Sequence, residues 1–98
     1  MDPDVMEPQP FSQPLNVAVI TTRGIISGRD WIAWVFHDAE DGGWQFLSRD
    51  RRSVADAAVV SLSSVLELDQ SVLELADLPL GGHAWRETKD SQWRRAVD

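Results

Sequence analysis

The stretch that decides the fold runs Trp31-Ile-Ala-Trp-Val-Phe-His37, then Asp38-Ala-Glu-Asp-Gly-Gly43, then Trp44-Gln-Phe-Leu47. As a strand, its first seven residues place Ile32, Trp34 and Phe36 on one side and Trp31, Ala33, Val35 and His37 on the other. Both sides are largely apolar, which predicts a central strand with at least partial cover on each face. The polar, glycine-ended segment from Asp38 to Gly43 is a hairpin connection, and Trp44 to Leu47 is the returning strand. Gly42 and Gly43 supply the positive φ values of a tight reversal, and Asp41 can accept hydrogen bonds from the turn amides. Trp44 then brings a large apolar ring into the sheet. These are folding devices first.

Upstream, Leu15 to Thr22 is short and rich in β-branched residues, and reads as a strand. Gly24 and Gly28 punctuate the next stretch, with Ile25 and Ile26 between them. Four of the five prolines, Pro3, Pro8, Pro10 and Pro14, stand in the first fourteen residues beside Asp2, Asp4 and Glu7. Proline removes backbone donors and favours extended chain, so residues 1–14 are predicted to be a flexible proline-rich arm.

Downstream, Ser48 to Asp56 is a charged loop with Arg49, Arg51 and Arg52 among its residues. Ala57 to Val60 fits a short strand or the lead into a helix, and the residues alone leave both open. Leu62, Val65 and Leu66 have helical spacing, with Ser61 as N-cap. A second helix restarts at Asp69 or Ser71. Ser71 and Glu74 have capping-box form, and Val72, Leu75 and Ala76 supply its apolar stripe. Pro79, Gly81 and Gly82 end it. His83 to Thr88 is the last predicted strand. The predicted fold is therefore α+β: an antiparallel sheet of about four strands with two short helices on one face, in the order β-β-β-α-α-β. Residues 15–88 make a single domain, and residues 89–98 a polar C-terminal tail in which only Trp93 is a large apolar group.

Ninety-eight residues suffice for one domain with no separate cofactor domain. The net charge of −7 opposes binding to nucleic acid or to an anionic membrane surface and favours a basic protein partner. No cysteine is present, which excludes disulfides, thiolate metal sites and a cysteine nucleophile. Together with a start that lacks a basic stretch followed by an apolar run, this predicts a cytoplasmic protein without a secretory signal.

Candidate chemistry is sparse. His37 and His83 are the only histidines and stand on different predicted strands, so no metal site and no cofactor is expected. Asp38, Glu40 and Asp41 form a carboxylate cluster, but the loop is too short for an EF-hand, and a hairpin tip is usually wet. There is no nucleophile elbow, phosphate loop or dinucleotide fingerprint. Five tryptophans are many for this length. Trp34 and Trp44 read as core. Trp31 and Trp85 lie on mixed faces, where core packing leads. Trp93, among Ser91, Gln92, Arg94 and Arg95, reads as a contact residue within or between molecules.

Three stretches carry a resemblance: Trp31 to His37; Asp41-Gly-Gly-Trp44 followed by Gln45 to Ser48; and the helical region from Ser61 to Leu73 followed by Leu78-Pro-Leu-Gly81 and Ala84-Trp-Arg86. Together they resemble a small bacterial domain of unknown function also described as the immunity protein 33 type, over about Leu15 to Glu87. The resemblance implies a non-enzymatic protein-binding module that neutralises a cognate toxin, present as a monomer or homodimer. Its contact residues would be Trp31, His37, Asp38, Glu40, Asp41 and Trp93. Gly42, Gly43, Trp44, Pro79 and Gly81 would be structural. Two other readings compete: a self-associating structural domain, and a small hydrolase built on the histidines and the Asp38–Asp41 carboxylates.

Overall fold

A computed structural model describes residues 14–49 and 56–97. Most of the predicted arm, residues 1–13, lies outside the described residues, as do Asp50, Arg51 and Arg52 of the charged loop.

Six strands form one mixed sheet: β1 (Ala18–Thr22), β2 (Trp34–His37), β3 (Trp44–Leu47), β4 (Ala57–Ser61), β5 (Gly82–Trp85) and β6 (Arg94–Val97), in the order β4-β1-β3-β2-β5-β6. The predicted β2–β3 hairpin is present, with Trp34 opposite Leu47 and His37 opposite Trp44. The expected four antiparallel strands become six, and one pairing, β1 with β3, is parallel. The link through residues 23–33 is long enough to carry the chain past the place that β3 later fills between β1 and β2. It contains one turn of helix, α1 (Arg23–Ile26), capped by the Thr22 hydroxyl accepting from Ile25 N–H at 3.1 Å. Four residues are too few to show helical periodicity in the sequence.

Ala57–Ser61 resolves as a strand, antiparallel to β1 along its whole length. The polar stretch after Lys89, expected outside the sheet, instead contributes β6, which pairs with β5 from Trp85–Arg94 to Gly82–Val97. An edge strand needs apolar residues on one face at most, so its sequence reads as a tail.

Helix α2 (Leu62–Leu68) begins as expected, with the Ser61 hydroxyl accepting from Ser64 N–H at 3.2 Å. The next element, Gln70–Leu75, is a 3-10 helix capped by Asp69 rather than by a Ser71–Glu74 box. The helices sit on one side of the sheet, as predicted. Ile25, Leu62, Val65, Val72 and Leu75 pack with Val19, Val35, Trp44, Phe46 and Ala84 into one core cluster. Burying such side chains contributes roughly 1.5–3 kcal/mol each. Trp44 is core, as expected. Trp34 is not, because strand alternation puts Val35 into the core and turns Trp34 to the opposite face. No helix among the described residues is long and apolar enough to cross a membrane.

Candidate partner-binding site

The hairpin tip gathers the three predicted carboxylates. Asp38 N–H donates to Gly43 O at 2.8 Å, and Gly42 N–H to Asp38 O at 2.9 Å. Gly42 takes φ 72°, where a side chain is strained, whereas Gly43 needs no positive φ. The Asp41 carboxylate accepts from Gly43 N–H at 2.8 Å, as the sequence suggested. Asp38 accepts from the Gln45 side-chain amide at 2.8 Å. Two carboxylates are thereby held in place, and Glu40 projects from the exposed tip.

An open cleft of about 600 Å³ lies beside this tip, with Phe36, Asp38, Glu40, Asp41 and Leu80 in its wall. On the other side of the turn, Asp38 and Asp41 border a second cleft, of about 250 Å³, with Ile20 and Val59. Leu80, Ile20 and Val59 are 56%, 41% and 70% exposed. Acidic groups thus stand between apolar side chains open to solvent.

His37 braces the tip from the core side. Its Nδ1 lies 2.7 Å from Leu78 O, and a carbonyl only accepts, so Nδ1 carries the proton. The ring stacks on Trp44 with centroids 4.0 Å apart, and Nε2 is buried without a hydrogen-bond partner. Gly81 N–H donates to His37 O at 2.7 Å, and Gly81 needs its positive φ of 83° to turn the chain there. Pro79 O accepts from Gly82 N–H in the same turn, at 2.8 Å.

His83 is elsewhere. It lies opposite Phe36 in the β2–β5 ladder, whereas His37, one residue further along β2, faces the core. The two imidazoles point to opposite faces and do not converge on a shared site. Among the described residues no group of three histidines or carboxylates is placed to hold a metal.

Trp31 and Trp93 are brought together by Arg86, which in the sequence is only the end of the Ala84-Trp-Arg86 stretch. Arg86 is buried, with its guanidinium carbon 4.3 Å from the Trp93 ring centroid and 5.7 Å from that of Trp31. Its Nε donates to Ile32 O at 2.8 Å, and its two Nη groups reach the Ser71 hydroxyl and the Asp69 carboxylate. Trp93 Nε1–H also donates to Ser71, at 3.1 Å. Burial alone would push the Asp69 carboxyl up. The Ser71 hydrogen bonds and the Arg86 charge outweigh it and hold the group below the ordinary carboxylate range. The sequence held one signal of this cluster, a lone arginine after an apolar strand; Trp31 and Trp93, expected among the partner contacts, instead pack on its guanidinium.

The sheet face opposite the helices carries a row of rings. Trp34 stacks on Phe36 at 6.0 Å and Trp85 at 6.1 Å, and His83 on Phe36 at 5.9 Å and Trp85 at 5.5 Å. All four are half-buried. Phe36 joins this row to the acidic cleft.

Residues 19–97 match the model of the immunity protein Imm33 domain. No curated protein matches the chain, and no solved structure matches it.

Proposed function

The chain belongs to the immunity protein Imm33 family, and from that premise we propose that it neutralises a cognate toxin by direct, non-catalytic binding through the hairpin tip and its flanking clefts. The observation that carries the reading is the placement of Asp38, Glu40 and Asp41 between exposed Leu80 on one side and Ile20 and Val59 on the other. Charge of one sign flanked by exposed apolar groups suits a partner that offers a basic patch between apolar side chains. Complementary charge speeds encounter, and desolvated apolar contact slows release.

Asp38, Glu40 and Asp41 are the contact residues. His37 is a positioning residue that ties the tip to Leu78. Trp31 and Trp93 support the fold through Arg86. The net charge of −7 favours a basic toxin over an acidic one. Separation of the two imidazoles on opposite faces supports a role without catalysis.

The test is co-expression with the product of the adjoining gene. That product should be toxic alone, harmless alongside this chain, and recovered with it on pull-down. Absence of toxicity together with absence of any recovered partner refutes the proposal.

A further inference from the structure

The two outer strands of the sheet differ in kind. β6 carries Arg94 and Arg95, both exposed, and charged side chains on an edge discourage further pairing. β4 reads Ala57-Ala-Val-Val-Ser61, with no charge and no proline. Its inner side pairs with β1 at all five residues, and among the described residues no strand lies beyond it. An uncharged outer strand presents a regular row of backbone donors and acceptors, which is a template for another strand.

We propose that β4 is a self-pairing edge, joining two copies of this chain antiparallel about a two-fold axis at Val59. The occupant follows from the composition of the edge. The strand itself carries no charged side chain with which to select a foreign strand. It is complementary to itself: centred on Val59, Ala57 meets Ser61 of the second copy and Ala58 meets Val60, with no oversized or like-charged pair. A two-fold makes every such contact twice.

Val59, 70% exposed, lies on the same face as Ile20, 41% exposed, which it opposes in the β1–β4 ladder. Pairing brings the two Val59 side chains together with an Ile20 behind each, and covers the apolar groups that are most exposed at this edge. The six-stranded sheet becomes a continuous sheet of twice that width. The opposing force is also identifiable. Asp38 and Asp41 share the cleft that Val59 lines, so the axis draws like charges of the two copies toward each other. The dimer covers Ile20 and Val59, which also flank the acidic tip, so self-association and toxin docking compete; self-association strengthens as salt rises, whereas docking of a basic toxin weakens.

The experiment is sedimentation equilibrium on the full chain up to about 1 mM, at low and high salt, beside Val59→Lys. The wild type should show a concentration-dependent mass rising toward the dimer, more so at high salt. Val59→Lys should keep its circular dichroism spectrum, since the position is exposed, and raise the dissociation constant by roughly tenfold or more. The chain has no cysteine, so Val59→Cys adds a single thiol at the axis. Facing residues of antiparallel strands lie within disulfide reach, and mild oxidation should give a covalent dimer from Val59→Cys and not from Arg94→Cys. A wild type that stays monomeric to about 1 mM overturns the proposal. So does a Val59→Lys chain that dimerises as well as the wild type, or equal cross-linking at position 94.

Discussion

Replacing Arg86 with methionine deletes a guanidinium whose side chain is only 2% exposed and leaves an apolar stem of similar reach. Three hydrogen-bonding partners lose their donor: Ile32 O, the Ser71 hydroxyl and the Asp69 carboxylate. Removing one member of a buried ion pair costs about 3–5 kcal/mol, because the remaining charge stays desolvated. The Asp69 side chain is 21% exposed and keeps its Ser71 bonds, which places the loss near the lower end. Loss of the cation between two indole rings adds roughly 0.5–1 kcal/mol, partly returned by methionine packing on the same rings. The sum, about 3–4 kcal/mol, is a large share of the roughly 5–15 kcal/mol that holds a domain of this size. At about 4–8 °C per kcal/mol, the thermal midpoint should fall by roughly 12–32 °C. Thermal unfolding followed by circular dichroism at pH 7 measures it, with a urea titration to check that the m-value is unchanged. The pH dependence is a second readout. The Asp69 carboxyl is depressed in the folded state, so its contribution is present above its unfolded value of about 3.9 and is lost as pH falls through the folded value. Asp69→Asn should be less stable than the wild type at pH 7 and lose less on acidification. A midpoint drop under about 5 °C for Arg86→Met, or an unchanged acid limb for Asp69→Asn, would refute the view that this cluster holds the helical segment to the sheet.

Gly81→Ala should cost about 1–2 kcal/mol in urea unfolding, from backbone strain at φ 83° alone, since the added Cβ meets only Ala39 at 3.8 Å. Ser61→Ala should cost about 1 kcal/mol through loss of the α2 cap, with Ser61→Asn restoring most of it. The combined change Asp38→Asn, Glu40→Gln and Asp41→Asn keeps the side-chain oxygens that accept from Gln45 and Gly43, so the thermal midpoint should hardly move. Stopped-flow mixing with the toxin should show association slowed roughly tenfold at low salt, with a flatter salt dependence. An unchanged rate would remove the hairpin tip from the interface.

What the amino-acid sequence determined by itself was local. The Asp41-Gly-Gly-Trp44 reversal, the Ser61 cap, the apolar spacing of Leu62 and Val65 and the turn at Pro79–Gly81 depend on residues within a few positions of one another, where φ preferences and side-chain periodicity act directly; the helical segment before that turn ends earlier than expected, at Leu75. The acidic tip was legible for the same reason. Tertiary structure decided what depends on distant partners. Parallel pairing of β1 with β3 arises only once β3 lies between β1 and β2, and β6 is a strand only because β5 offers it an edge. Strand register decided that Val35 enters the core while Trp34 faces away, since both sides of that segment are apolar. It also decided that His37 and His83 point to opposite faces. Arg86 reads as a surface charge in any short window. It becomes a buried clamp because the chain returns Asp69, Ser71 and Trp93 from other segments to surround it, and no local preference encodes that meeting.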